Sequence, residues 1–492
     1  MQAIATERQE TPMGARAPEP RHETPAAAGG SGAFLLSLLL SAFALCGSLG
    51  LVFYARGNTI AMDVANLPWL NVRDAMFGVR IDALSQLMLL AVTICGFLVV
   101  LYSGSYISRN NREHPSEHGQ GRYYFFTVLF IASMVGLVSS PNLFQMFLFW
   151  ELTTICSWGL ISFYGTKEAL ASGFKAMLIT YGAGLFLMAA VILVYVNTGS
   201  FAFTAINQLA PGMKTLVVAF LAIAAFGKAA QFPLQTWLPS AMTAPTPASA
   251  YLHAAAMVKA GVYLMARVVI SLAIFPPKLA LIFTGLAMVT MYVGVLQYAV
   301  QDDLKRLLAY STIANLGYMM LGLAMGALGS PLALRGGLLH LIGHAFTKSL
   351  LFLSVGAISY ATGTRSISKL SGLGKRMPIT ALCFVLGAMA ISGVPPFTLF
   401  WSKFLIVAGA IQLSTRWGIA LAVLALAESV IGFSCFLRAV HKVFFGPTSP
   451  AAELAQDPPA GMSVALIILL LLSLGATFLG LPLIGHVMQG VK

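Results

Sequence analysis

The chain has 492 residues, 58% of them hydrophobic and only 9% charged, and its mean hydropathy is +0.84. A soluble surface needs roughly 25–35% charged side chains, so a large soluble enzyme, a disordered chain and a nucleic-acid-wrapping protein are all excluded, and the expected solvent is lipid. The 29 Lys+Arg exceed the 16 Asp+Glu, for a net charge of +13, but they sit mostly in short loops between apolar runs, which is a topology signal rather than a nucleic-acid surface.

Residues 1–30 are rich in Pro, Ala, Gly and mixed charge and read as a flexible tail, not a signal peptide. Apolar segments of helical length then follow at about 34–55, 81–104, 124–139, 142–163, 173–196, 213–241, 246–270, 278–299, 309–325, 331–358, 379–411, 417–440 and 463–483. Each is near the roughly 20 residues that a spanning helix needs. The expected fold is therefore all-α, a polytopic membrane protein of about 13 transmembrane helices. Spanning strands are not expected, because only a closed barrel satisfies its backbone in lipid and its alternating pattern is missing.

Two segments are interrupted. AFLAIAAFGKAAQFPLQTWLPSAM holds Pro233 and Pro239, and ALCFVLGAMAISGVPPFTLFWSKFLIVAGA holds Gly393, Pro395 and Pro396. Proline removes a donor and clashes with the preceding turn, so each predicts a broken helix. Broken helices at membrane depth point to an ion path. Lys228 precedes the first break and Lys403 follows the second. The plainer alternative is a pair of kinks that only shape packing.

The remaining charges within apolar runs are costly in hydrocarbon, and each is a functional candidate. Glu151 lies in NLFQMFLFWELTTICSWGLISFYG and needs a cationic partner. Lys175, near the start of the next helix, is one candidate for that partner, unless it snorkels to the interface. Lys228 is the first choice for a proton carrier, since a lysine withdrawn from water can give up its proton. His253 and Lys259 are six apart and do not share a tight helical face. His340, His344 and Lys348 follow i, i+4, i+8 spacing and occupy one stripe. That stripe reads as a proton wire rather than a zinc site, because no HExxH glutamate or nearby cysteine completes a ligand set. Glu428 is mid-span, with Lys403 as its expected partner. The plainer alternatives are buried structural ion pairs and hydrogen-bonded core histidines.

No GxGxxG opens a βαβ unit and no P-loop occurs, so no cofactor or metal is expected on this chain. Cys46, Cys95, Cys156, Cys383 and Cys435 are isolated and read as small buried hydrophobes. The positive loop residues fall mostly on the side of the N-terminus, which places that end in the cytoplasm.

The segments FLFWELTTICSWGLISFYG, FGKAAQFPLQTWLPSAMTAPTPASAYLHAAAMVKAGVYLMAR, DDLKRLLAYSTIANLGYMMLGL, LLHLIGHAFTKSLLFLSVG and SGLGKRMPITALCFVLGAMAISGVPPF resemble the antiporter-like subunits of respiratory complex I, multisubunit cation/proton antiporters and membrane-bound energy-converting hydrogenases. The resemblance covers about residues 120–440. It implies two inverted five-helix repeats, each with a broken helix. On it, Glu151 matches the essential glutamate and Lys228 the lysine at the first break. His253 and Lys259 match connecting positions, His340, His344 and Lys348 the central relay helix, and Lys403 the terminal lysine. The implied division is a tail at 1–30, N-terminal helices at 31–120, repeats at 121–275 and 276–442, and a C-terminal loop and last helix at 443–492.

Departures are expected at both ends. The first of the family's usual 14 or so helices looks replaced by the polar tail, and no lateral helix follows residue 483. The WELTT and MVKAGVYL wording looks closer to the antiporter and hydrogenase branches.

Three functions stay open. The first is a proton-translocating subunit of a membrane redox complex, with other membrane subunits and a peripheral redox arm as partners. The second is a subunit of a multisubunit Na⁺(K⁺)/H⁺ antiporter. The third is a membrane scaffold or an inorganic-carbon-uptake partner without its own relay. Such subunits do no redox chemistry. The transported ion, lipid and neighbouring subunits are the expected partners, and nucleic acid is not.

Overall fold

The computed structural model describes residues 28–66, 72, 74–115 and 118–490. Of the tail expected over 1–30, residues 1–27 lie outside the described residues, and the first helix already begins at Ala28. Arg8, Arg16, Arg21, Arg73 and Lys492, which enter the charge count along the chain, also lie outside them.

In chain order the elements begin with α1 (Ala28–Ala55), the strands β1 (Ile60–Ala65) and β2 (Phe77–Ile81), α2 (Ala83–Tyr106), α3 (Gln120–Val138), α4 (Leu143–Ile161), α5 (Lys167–Thr198) and α6 (Pro211–Lys228). The short α7 (Trp237–Ser240), α8 (Thr246–Ala254), α9 (Met257–Ser271), α10 (Pro277–Ala299), α11 (Leu304–Ala327) and α12 (Pro331–Thr362) follow. Last come the short α13 (Leu373–Arg376), α14 (Pro378–Ser392), α15 (Thr398–Gln412), α16 (Arg416–Phe444) and α17 (Ala460–Gln489).

Twelve helical segments among the described residues are long and apolar enough to cross a membrane. The shorter apolar α14 and α15 meet end to end and together supply the length of one more crossing. The chain is a multi-span, all-α membrane protein. Besides the helices, β1 and β2 form a short antiparallel hairpin. It lies in the connection between α1 and α2, where the side chain of Gln145 bonds both Gly78 N (2.9 Å) and Gly78 O (3.0 Å).

Polar caps set where the helices start. Asp82, Asn142, Thr166, Asp303 and Ser330 each accept a bond from an amide three residues on, opening α2, α4, α5, α11 and α12. α2, α11 and α12 lie inside, and α12 is buried along its whole apolar window. α1 and α16 turn apolar residues such as Phe43, Phe53, Val423 and Val430 outward, as helices facing lipid do. Cys46 is exposed there too, against the expectation that all five cysteines are buried.

Both expected breaks form. α6 stops at Lys228, and the chain runs without helix to Trp237. The freed backbone groups are taken up inside the protein. Trp237 Nε1 donates to Gly227 O at 2.9 Å, and Phe232 N donates to Thr290 Oγ1 at 3.0 Å. In the second break α14 ends at Gly393, whose φ of 86° needs a glycine, and α15 resumes at Thr398. A third interruption is new. The expected single span over 246–270 is split at Ala255–Ala256. Tyr251 O accepts Ala255 N at 3.2 Å and also Ala256 N at 3.0 Å, a widened turn. No Pro or Gly marks it, so the sequence pattern carries no signal there.

Arg267 on α9 clamps the start of α2. Its guanidinium forms a bidentate pair with Asp82 and donates to Ser85 Oγ (2.5 Å) and Tyr263 OH. Burial alone raises the Asp82 carboxyl, but the Arg267 charge and hydrogen bonds outweigh it and hold it below the ordinary carboxylate value. The clamp is therefore at full strength above about pH 4 and is lost as the pH falls through the lowered folded value. Asp82→Ala leaves a buried arginine unpaired. Thermal melting in detergent should report a loss of about 3 kcal/mol, and an unchanged melt would show the clamp to be dispensable.

Candidate functional site

Glu151 and Lys228 come together where α4 passes the end of α6. Lys228 is fully buried, donates to Trp150 O and Thr153 Oγ1, and lies 4.6 Å from the Trp150 ring centroid. Both Glu151 oxygens are out of solvent reach, with no hydrogen-bond donor on them among the described residues. Lys228 is the cation acting on Glu151. The Thr154 hydroxyl is close, but it donates to Trp150 O at 3.4 Å. α5 makes room for the carboxylate with Gly184: a Cβ there would lie 2.1 Å from Glu151 Oε1.

Lys175 is not the partner of Glu151. It is exposed on α5 and its Nζ bonds Ser240 Oγ at 3.1 Å. The physical reason is distance along the helix. Gly184, which faces Glu151, is nine residues further on, about 13 Å of rise.

A second group surrounds α12. Lys259 on α9 is fully buried, and its Nζ lies 3.1 Å from His344 Nδ1 and 3.1 Å from Met319 Sδ. His340, one turn before His344, holds Ser402 Oγ (2.9 Å) through Nδ1 and Asn315 Oδ1 (3.1 Å) through Nε2. One turn after His344, Lys348 donates to Leu308 O (2.9 Å) and to Ser311 Oγ. His253 is fully buried with neither ring nitrogen hydrogen-bonded among the described residues. Its ring lies 5.1 Å from that of Phe352, and Lys348 is within electrostatic reach.

A third group closes the series at the second break. Lys403 Nζ donates to Ser429 Oγ (3.1 Å) and Ser392 O (3.4 Å), and sits 4.7 Å from the Tyr318 ring centroid. Glu428 is buried at 2% exposure and acts on Lys403 through space. They form no direct ion pair. Ser429, which follows Glu428 in the chain, bonds Lys403 and also lies 2.7 Å from the Tyr318 hydroxyl. Ser402, which holds His340, precedes Lys403 in the chain, so the second and third groups are continuous. No hydrogen bond or ion pair among the described residues spans from Lys228 to Lys259.

Several site residues have no mark in the sequence. Asn315, Ser402, Tyr318 and Ser429 are ordinary polar residues until the fold places them beside a buried charge. Lys305 does carry a mark. It reads as a loop charge, yet it is 1% exposed and its Nζ donates to Met242 O (2.9 Å) and Ala244 O (2.7 Å). A lysine in the first turn after an aspartate cap opposes the helix dipole, and that misplacement is a usable cue. No group of three or more His, Cys, Asp or Glu among the described residues could hold a metal ion.

Residues 140–431 match the family NADH:quinone oxidoreductase/Mrp antiporter, TM, and residues 69–124 match NADH-Ubiquinone oxidoreductase (complex I), chain 5 N-terminus. The chain belongs to this quinone oxidoreductase/Mrp antiporter family. All of the site residues named above lie within the first match.

Among relatives, a chloroplast NAD(P)H-quinone oxidoreductase subunit 5 from Anthoceros angustus is 40% identical over 69% of this chain and 48% of its own length. The corresponding protein of Chaetosphaeridium globosum is 36% identical over 84% of this chain and 64% of its own. The chain thus spans about half to two thirds of the length of these relatives. Among solved structures, the Mrp complex of Dietzia sp. DQ12-45-1b gives a TM-score of 0.82 at 32% identity, over 94% of this chain and 49% of that one. The membrane-bound sulfane sulfur reductase, an archaeal respiratory membrane complex, gives 0.79 at 26% identity, over 94% and 91%. The family likeness therefore spans both the quinone-oxidoreductase and the antiporter branches.

Proposed function

We propose that the chain is the proton-translocating, antiporter-like subunit of a membrane-bound redox complex, with no cofactor of its own. The observation that carries this reading is the bond between Lys259 and His344. It ties the helix after the first break to the buried α12 stripe, which continues through His340 and Ser402 to Lys403 and Glu428. Lysine, histidine and carboxylate can each hold a proton and pass it on, and charging one site alters its neighbours, so the series titrates as a network. Water between side chains completes the contacts. On this reading residues 121–275 and 276–442 are inverted repeats, which is supported by one proline break in each. The N-terminus is cytoplasmic and the chain lies in the inner membrane on this reading, which the excess of positive loop residues on that side supports. Other membrane subunits, and a peripheral arm that supplies the energy, are its partners.

A second reading, a subunit of a Na⁺(K⁺)/H⁺ antiporter, is favoured by the likeness to the Mrp complex. The native complex in sealed vesicles separates the two readings: proton movement that requires Na⁺ or K⁺ in the bath supports the antiporter. In the same vesicles Lys259→Met should cut proton movement about 100-fold while assembly persists. Undiminished movement would remove the relay.

A further inference from the structure

The weakest link in the relay lies between Lys228 and Lys259, where no protein hydrogen bond joins the first group to the second. A buried hydroxyl lies close to both groups. Tyr251 on α8 is fully buried, and its hydroxyl has no hydrogen-bond partner among the described residues. Its ring is fixed on two sides. It packs edge-on to Phe130 of α3, with centroids 5.4 Å apart, and a Cβ on Gly96 of α2 would lie 3.5 Å from it.

Gly96 adjoins Cys95 in the chain, and Phe130 lies about one turn before Ser133, whose hydroxyl is 3.9 Å from Cys156 Sγ, so the ring sits between the thiols of Cys95 and Cys156. Cys156 lies on α4, one turn past Thr153, which holds Lys228, and it is within electrostatic reach of that lysine. Cys95 reaches Ala345 O, the residue after His344, at 3.8 Å, and it is within electrostatic reach of Lys259. Tyr251 therefore has the Lys228 site on one side and the Lys259 site on the other.

A buried hydroxyl left without a partner carries an uncompensated desolvation cost. A phenylalanine would pack in the same place without that cost. The retained oxygen calls for a use other than packing.

We propose that the Tyr251 hydroxyl is the proton-carrying group that joins the two halves of the relay. The proton released from the Lys228 ammonium adds to the phenol oxygen through water as the phenol's own proton leaves toward Lys259. One O–H bond forms as another breaks, Tyr251 is neutral before and after, and one positive charge passes from Lys228 to Lys259.

This proposal rests on the proton-relay reading and deepens it. The test is Tyr251→Phe in the native complex, in sealed vesicles, beside a Lys228→Ala control. Tyr251→Phe removes one oxygen and little volume, so assembly and thermal melting should be unchanged or improved. Proton movement should fall about 10-fold or more. A structural hydroxyl would show the opposite pattern, a weakened fold with transport per assembled complex intact. Wild-type transport by Tyr251→Phe beside an inactive Lys228→Ala would overturn this proposal alone. Wild-type transport by Lys228→Ala would overturn the relay reading and this proposal with it. Should Tyr251→Phe not assemble, Tyr251→Leu serves the same comparison, and transport retained by that variant would overturn the proposal.

Discussion

Lys228→Ala should abolish coupled proton movement in vesicles while the complex still assembles. The substitution removes two hydrogen bonds, to Trp150 O and Thr153 Oγ1, and the ammonium beside the Trp150 ring. It also leaves Glu151 without the cation that acts on it. Breaking a buried charge pair from one side costs about 3–5 kcal/mol, so thermal melting in detergent should fall as well. The double variant Lys228→Ala/Glu151→Gln removes the orphaned charge. Its melt should recover part of that loss while transport stays absent. Separate recovery of stability and transport distinguishes a working site from a structural pair. Normal proton movement in the single variant would refute the assignment of Lys228.

Glu151→Gln should have the next largest effect. Glutamine keeps the shape that fits beside Gly184 but cannot take up and release a proton. A positioned proton-transfer group contributes about 100-fold to 10,000-fold, and a loss in that range is expected with assembly unaffected. The folded state should lose less than in Lys228→Ala. Both Glu151 oxygens are buried without a donor, so removing the charge relieves desolvation that offsets part of the lost attraction, and Lys228 keeps its bonds to Trp150 O and Thr153 Oγ1. Wild-type pumping in Glu151→Gln would assign Glu151 a structural role.

Much of the site is legible in the sequence because charge is conspicuous in a chain that is 9% charged. Glu151, Lys228, Lys259, His340, His344, Lys348, Lys403 and Glu428 stand out in apolar runs, and the i, i+4, i+8 spacing alone places three of them on one helix face. The proline breaks are equally plain, because proline acts locally. What the sequence does not show depends on contacts between distant segments. Lys175 looks like the partner of Glu151 because consecutive helices pack together, but how far along the helix it sits decides against it. Lys305 looks like a loop charge because it adjoins DD, and only the fold reveals the two carbonyls that receive it. The interruption at Ala255–Ala256 leaves no mark, since an extra residue in a turn needs no special side chain.

That widened turn also resets the angular register of the chain. In an unbroken helix, six residues turn about 600°, which would leave His253 and Lys259 facing roughly 120° apart. Yet both address α12: His253 lies beside Phe352, and Lys259 lies at His344, two turns nearer the start of that helix. The break lets one run of chain present two groups to the same partner, at a spacing that a regular helix reserves for residues three, four or seven apart. Deleting Ala255 would restore an uninterrupted helix and turn one of the two groups away from α12.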